Sequence, residues 1–267
     1  MRKIRASMLS SYNDCPRRSA AKQFRFEIEN AGFSLREPKQ SSASLVGVGT
    51  HRQIERYFRS RIDGTEFSVD LDKLSDLFAM DDIEWDKKIP STEIALTFID
   101  RMSTSYIENI GKTIIPVATE VSVNAEIDGF EVSGHIDLLC ILNDKYNIRD
   151  IKTGSSMRSS HAQMGAYSLL YRSENPTKNI SQLSIDFIKR NTTKKEQIEP
   201  VTIDYNIVAC EQLAYSTIKR IINDYEKFKI KHDREAFPAN PMSQMCSAKY
   251  CICYGTSFCP ITNGGNK

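Results

Sequence analysis

No run of apolar residues approaches the roughly 20 that a membrane-spanning helix needs, so a bilayer-embedded helical protein is not expected. Internal repeats and low-complexity tracts are absent, which argues against a solenoid or a disordered scaffold. There is no glycine-rich nucleotide-binding loop, so if a helicase is needed it belongs to a partner. A strong charge imbalance is also missing: the net charge is +2, which neither demands nor excludes nucleic acid. The first residues are basic but have no apolar stretch behind them, a poor match to a secretory leader. The expected location is the cytoplasm, or a host's cytoplasm if the source is a phage. The seven cysteines are an odd number, and without a leader they argue against a disulfide framework.

What is present suits a packed globule. Of the 267 residues, 40% are hydrophobic and 26% charged. Helical periodicity predicts helices over 10–24, 45–58 and 92–110. The stretch 60–90, ending at Pro90, reads as a helical insertion. Ile- and Val-rich segments at 113–127, 130–142 and 146–152 predict a meander, with Asp128-Gly129 and Asn143-Asp144 as hairpin turns. A helix over 159–172, strands over 183–189 and 197–203, and a long helix over 207–232 follow. The tail from Phe237 is rich in Pro, Cys and Gly and cannot build a core of its own. The fold class is mixed α/β (α+β): a central mixed sheet flanked by helices, in a single domain. Its parts are 1–44, carrying Cys15; 45–112, carrying His51; the core 113–235; and the tail 236–267. Two clusters are basic, one running from Arg2 to Arg25 and including Arg17 and Arg18, the other comprising Lys189, Arg190, Lys194 and Lys195.

The chemistry-bearing residues lie between Gly134 and Tyr167. Asp137 and Asp150 sit among apolar strand residues, where a charged group needs a partner or a metal. Lys152 follows Asp150 by two residues, so both point to one sheet face. Two carboxylates on neighbouring strands, with the backbone carbonyl of Ile151, can share a divalent ion. Such an ion relieves the negative charge that builds up in phosphodiester hydrolysis. A lysine beside it can orient the attacking water. Asp-x-Lys alone recurs by chance; the surroundings give it weight.

Four ordered motifs complete the pattern: Gly47-x-x-x-His51, Gly134-x-x-Asp137, Asp150-x-Lys152 and Gln163-x-x-x-Tyr167. Together they resemble the PD-(D/E)XK nuclease superfamily, and within it the RecB-like branch that includes the CRISPR-associated exonucleases. The resemblance implies a restriction-endonuclease-like core. It makes His51, Asp137 and Asp150 ligands of Mg²⁺ or Mn²⁺, with Glu120 as a further acid at the site. Lys152 becomes the catalytic lysine, and Gln163 and Tyr167 hold the DNA strand or support the site. The implied activity is that of a metal-dependent deoxyribonuclease, expected to act as an exonuclease on single-stranded ends in recombination, repair or phage DNA processing. The alternative is a non-catalytic DNA-end-binding adaptor of a recombination or spacer-acquisition complex.

Cys246, Cys251, Cys253 and Cys259 crowd into the tail, a density that suits a zinc or iron–sulfur site needing about four thiolates. Some RecB-like nucleases hold a four-iron–four-sulfur (4Fe-4S) cluster with one cysteine before the core and three after it. By that resemblance Cys15, Cys246, Cys251 and Cys259 are the ligands, with Cys253 as substitute. A zinc site made only of the four tail cysteines is the rival.

Overall fold

The computed structural model describes residues 2–192 and 195–262, the side chains of Leu71 and Asp72 excepted. The first element, β1 (Arg2–Arg5), has only Ile4 as an apolar residue, and its pairing partner lies more than a hundred residues away. No local pattern announces it. The expected helix over 10–24 is two helices, α1 (Ala6–Asp14) and α2 (Pro16–Gln23), separated by an extended Cys15. Pro16 has no N–H to continue the ladder of α1 and disfavours a helical residue before it, yet it fits the first turn of α2. A short α3 (Arg25–Asn30) follows, then β2 (Gln40–Ser41) and α4 (Ser42–Asp63). The Ser41 side chain caps α4 by accepting from the Ser44 N–H, and Gly64 ends it at φ +68°.

The stretch 60–90 departs from the expected helix. Beyond α4 it holds only α5 (Leu71–Ser75), one 3₁₀ turn and the two-residue β3 (Ile83–Glu84), which pairs in parallel with β2. Its apolar residues are too sparse for a continuous stripe, and Leu74, Phe78 and Ile89 anchor it singly to the core. The amphipathic α6 (Thr92–Asn109) then starts at a Ser91 cap.

The sheet comes from β4 (Ile115–Ile127), β5 (Phe130–Leu142), β6 (Lys145–Gly154), β7 (Ile180–Lys189) and β8 (Val201–Tyr205), together with β1. Asn143 and Asp144 both adopt positive φ, and so do Asp128 and Gly129, the conformation that two-residue hairpins require. One edge of β5 carries β4. The other is shared by β1 at its start and β6 at its end. α7 (His161–Glu174) is the crossover that lets β6 and β7 run parallel, and α8 (Ile207–Lys231) closes the core. Residues of α1, α2, α7 and α8 bury one sheet face, and those of α4 and α6 bury the other. No helix among the described residues is long and apolar enough to cross a membrane.

At Gly165, α7 crosses α8 so closely that a Cβ would lie 1.9 Å from the Cys210 carbonyl oxygen. Backbone cannot yield as a flexible side chain would. Gly165→Ala is therefore expected to lower stability by about 1–3 kcal/mol, read from urea unfolding; an unchanged midpoint would rule out the close crossing.

The tail borrows its core. Phe237 and Phe258 pack with Phe24 and Phe228. Arg17, a member of the first basic cluster, is buried. It donates to the carbonyls of Phe237 and Arg234 and pairs with Glu235 at 2.8 Å. Arg18 is buried too and pairs with Asp14 at 2.9 Å. Arg17 ties the two ends of the chain together, and Asp14 also reaches the tail by accepting from the Ser243 hydroxyl. Of the second basic cluster, Lys189 and Lys195 are exposed, and Lys194 lies outside the described residues.

Candidate active site

The pairing of β5 with β6 stops at Leu138↔Arg149. One step further along the same register Asp137 would face Asp150, but here the strands part. The Asp137 carboxylate instead accepts the Ile151 N–H at 2.7 Å. On the other side of β5, regular pairing with β4 is interrupted between Val121↔Ile136 and Thr119↔Leu138, where Glu120 would face Asp137. Glu120 has φ +49°, rare for a non-glycine residue within a strand. The interruption switches the faces of β5: Ile136 and Leu139 join one core cluster, Leu138 and Cys140 the other. An opening is left at the fork, beside α4.

The motif glycines explain how the helices reach it. At Gly47 a Cβ would meet the Thr153 hydroxyl at 2.9 Å, so α4 lies close against β6 there. One turn later, His51 sets its Nδ1 3.5 Å from Asp137 Oδ2. At Gly134 a Cβ would lie 2.6 Å from the Tyr167 ring, which covers the strand at that point. Gln163 donates to Asp150 Oδ1 at 3.2 Å and to the Tyr167 hydroxyl at 2.6 Å. Lys152 Nζ stands 2.8 Å from Asp150 Oδ2. The four motifs thus form one constellation. Glu120 and His51 also line a cleft with Glu55, a residue whose position on α4 suggests a plain surface group. Glu55 pairs with Arg59 at 2.6 Å.

Charge is crowded here. Asp150 is 1% exposed, and burial raises its pKa to about 6, with Lys152 opposing and Asp137 reinforcing the rise. Burial likewise raises Asp137. Lost hydration, then the charges of Asp137 and Glu55, lifts Glu120 to about 7. His51 is lowered to about 4 by burial and by the Lys152 ammonium, which leaves a neutral ring able to ligate. Burial works against the Lys152 charge, but Asp150 and Asp137 outweigh it and raise its pKa.

Among the described residues no three His, Cys, Asp or Glu side chains already surround one ion. The donor set nonetheless suits a hard cation. Asp150 Oδ2 is buried, and its contact with Lys152 is ionic rather than a directed hydrogen bond. The carboxylate pKa values are raised mainly by burial, which a bound cation would offset by stabilising the ionised forms. In metal-free protein, Asp150 and Glu120 keep their protons to higher pH when folded than when unfolded. The folded state then binds more protons between about pH 4 and 7, and stability falls as pH rises through that window. Thermal melts of chelator-treated protein are expected to show this fall, and Asp150→Asn to reduce it; a fall of the same size in the variant would contradict the assignment.

The family model described as the PD-(D/E)XK nuclease superfamily matches residues 4–260. The chain belongs to that superfamily. Among solved structures it is similar to a Eubacterium rectale protein whose exonuclease name is itself provisional. The two are 14% identical over 83% of this chain and 80% of that one, with a TM-score of 0.52, a likeness in fold. It also matches an alkaline exonuclease from Laribacter hongkongensis at 13% identity over 73% of this chain and 93% of that one, but with a TM-score of only 0.32. No curated protein matches it. The sheet and its flanking helices form the restriction-endonuclease-like fold of these nucleases.

The two chain ends bring five cysteines together. Cys15, Cys246, Cys251, Cys253 and Cys259 line one small cavity, and no disulfide joins them. Cys251 and Cys253 place their sulfurs 3.3 Å apart. Hydrogen bonds from the Cys253 thiol push Cys251 and Cys259 down and Cys253 itself up. Cys15 Sγ accepts the Asn240 N–H at 3.4 Å. The all-sulfur donor set fits a thiophilic metal, although the sulfurs do not yet surround one point. Cys140 and Cys210 are buried elsewhere in the core.

One acid meets the criterion that singles out Asp137 and Asp150 without joining them. Asp186 lies in an apolar strand of this nuclease-superfamily chain, but its need is met by protein. Arg149 donates to both its oxygens, at 3.0 and 2.8 Å, and Tyr106 and Thr202 donate at 2.8 and 2.6 Å. The signal in SIDFIK is the same; only the packed structure reveals the partner.

Proposed function

We propose that this chain, as a single domain over residues 1–267, is a metal-dependent DNA nuclease that hydrolyses phosphodiester bonds, acting as an exonuclease on single-stranded ends. The observation that carries the reading is the meeting, at one strand fork, of two carboxylates with raised pKa, a neutral imidazole and an ammonium. Asp137, Asp150, His51 and the Ile151 carbonyl would hold Mg²⁺ or Mn²⁺, with Glu120 as a further ligand. When bound, that cation polarises the phosphate and acidifies water. Lys152 donates toward the attacked phosphate and steadies the charge that grows there. Gln163, braced by Tyr167, keeps Asp150 aimed at the fork. The test is incubation with end-labelled single- and double-stranded DNA and Mn²⁺. Progressive shortening of the single strand is expected. DNA bound but left uncut would instead make the chain an end-binding adaptor.

The cysteine cavity belongs to the same proposal. Cys15, Cys246, Cys251 and Cys259, with Cys253 as substitute, would hold a 4Fe-4S cluster that clips the chain ends together. Protein purified without oxygen is expected to be coloured, with iron and acid-labile sulfide in equal amounts and a visible band that a reductant bleaches. Colourless protein containing zinc would assign the site to zinc.

A further inference from the structure

Lys152 sits at the edge of a cleft of about 840 Å³. Its walls come from α1, the start of α4, the insertion between α5 and α6, the ends of β6 and β7, the loop after β6 and the cysteine tail, and Asp14, Glu84 and Asp86 line it beside the cations. Trp85 lines it from the insertion and Tyr250 from the tail, 40% and 46% exposed. Trp85 rests one face on Phe78, with ring centroids 6.0 Å apart at 24°, so its orientation is set by packing. The residues next to these two rings meet: Lys249 lies 3.5 Å from Asp86, joining tail to insertion. Lys88, Arg158 and Arg190 also line the cleft, and among the described residues none has a carboxylate within ion-pair distance. The cleft also shares Ala43, Ser44 and Thr153 with the one that holds His51 and Glu120, so the path continues past the fork.

We infer that this cleft is a single-stranded DNA channel in which unpaired bases stack on Trp85 and Tyr250 while Lys88, Arg158 and Arg190 carry the phosphates toward Lys152. The inference rests on the nuclease reading and adds the residues that hold the single strand and its path to the site. Exposed aromatic rings beside unpaired cations suit a flexible anionic chain with open base faces; a paired duplex offers no such faces along its length. The charges track the backbone without reading sequence.

Trp85 is the only tryptophan in the chain, so its fluorescence reports directly on the channel. Full-length protein in EDTA, which prevents cleavage, is titrated with oligothymidylate of about 20 nucleotides, longer than a typical single-strand site. Saturable quenching is expected, and much weaker quenching by a duplex of equal length. By polarisation of labelled oligonucleotide, Trp85→Ala and Tyr250→Ala are each expected to raise Kd about 10-fold. Trp85→Phe, which keeps the packing on Phe78 and a stacking face, is expected to restore most of the affinity. Absent quenching, or Kd values unchanged in both alanine variants, would overturn the channel. Cleavage of the same oligonucleotide with Mn²⁺ is followed in parallel. Cleavage without quenching defeats the channel alone, whereas quenching without cleavage defeats the nuclease reading and leaves the channel standing.

Discussion

Asp150→Ala is expected to lose Mn²⁺-dependent cleavage of single-stranded DNA by at least about 10³-fold while unfolding no earlier than the unsubstituted protein. Both halves follow from one observation. Asp150 is almost wholly buried, and its carboxylate is pushed up to about 6 by that burial, so its charge costs folding energy at neutral pH. Lys152 is partly exposed and keeps Asp137 as a second carboxylate, so losing Asp150 does not strand a fully buried charge. The same removal strips the fork of the carboxylate nearest Lys152 and frees Gln163 from its acceptor. Lys152→Ala should be comparably inactive, and the double variant little worse than either single one, because the two act as a unit. Cleavage rates on end-labelled DNA, read beside urea unfolding, check both halves. Full activity in either purified single variant would refute the assigned site.

Arg149→Leu, one residue away, is expected to do the reverse. Arg149 is the charge partner of Asp186, which is 0% exposed and also held by Tyr106 and Thr202. Taking away the guanidinium leaves a carboxylate in the core with no counter-charge, at a cost of about 3–5 kcal/mol. Replacing both partners, Arg149→Leu with Asp186→Leu, should recover much of that loss, since neither charge is then stranded. Equilibrium denaturation of the three variants measures it. A single variant as stable as the unsubstituted protein would mean that Asp186 finds water or another donor. Neighbours on β6 thus serve opposite ends: Arg149 answers a structural need and Asp150 supplies a chemical one.

The sheet was readable where neighbours along the chain decide the structure. Asp128-Gly129 and Asn143-Asp144 turn because their backbones accept positive φ, and the strands on either side alternate accordingly. The start of α8 at residue 207 was readable, and in the structure the Asn206 side chain caps it by accepting from the Ala209 N–H. The motif residues were readable as well, because one turn of helix or two steps of strand places each pair on a common face. β1 was not readable, because four residues with one isoleucine become a strand only when β5 offers its edge. Nor was the burial of Arg17, which depends on carbonyls 217 and 220 residues further along.

By itself the sequence determined the hairpins, the long helices and which acids and lysine lie on neighbouring strands, since these follow from spacing and backbone preference. Only the packed chain decided that β5 and β6 part at Asp137, that Glu120 takes a positive φ opposite it, and that Asp186 is answered by Arg149. It alone set Trp85 and Tyr250 on the walls of one cleft. Those outcomes rest on which distant surfaces exclude water together, and no short stretch of chain encodes that.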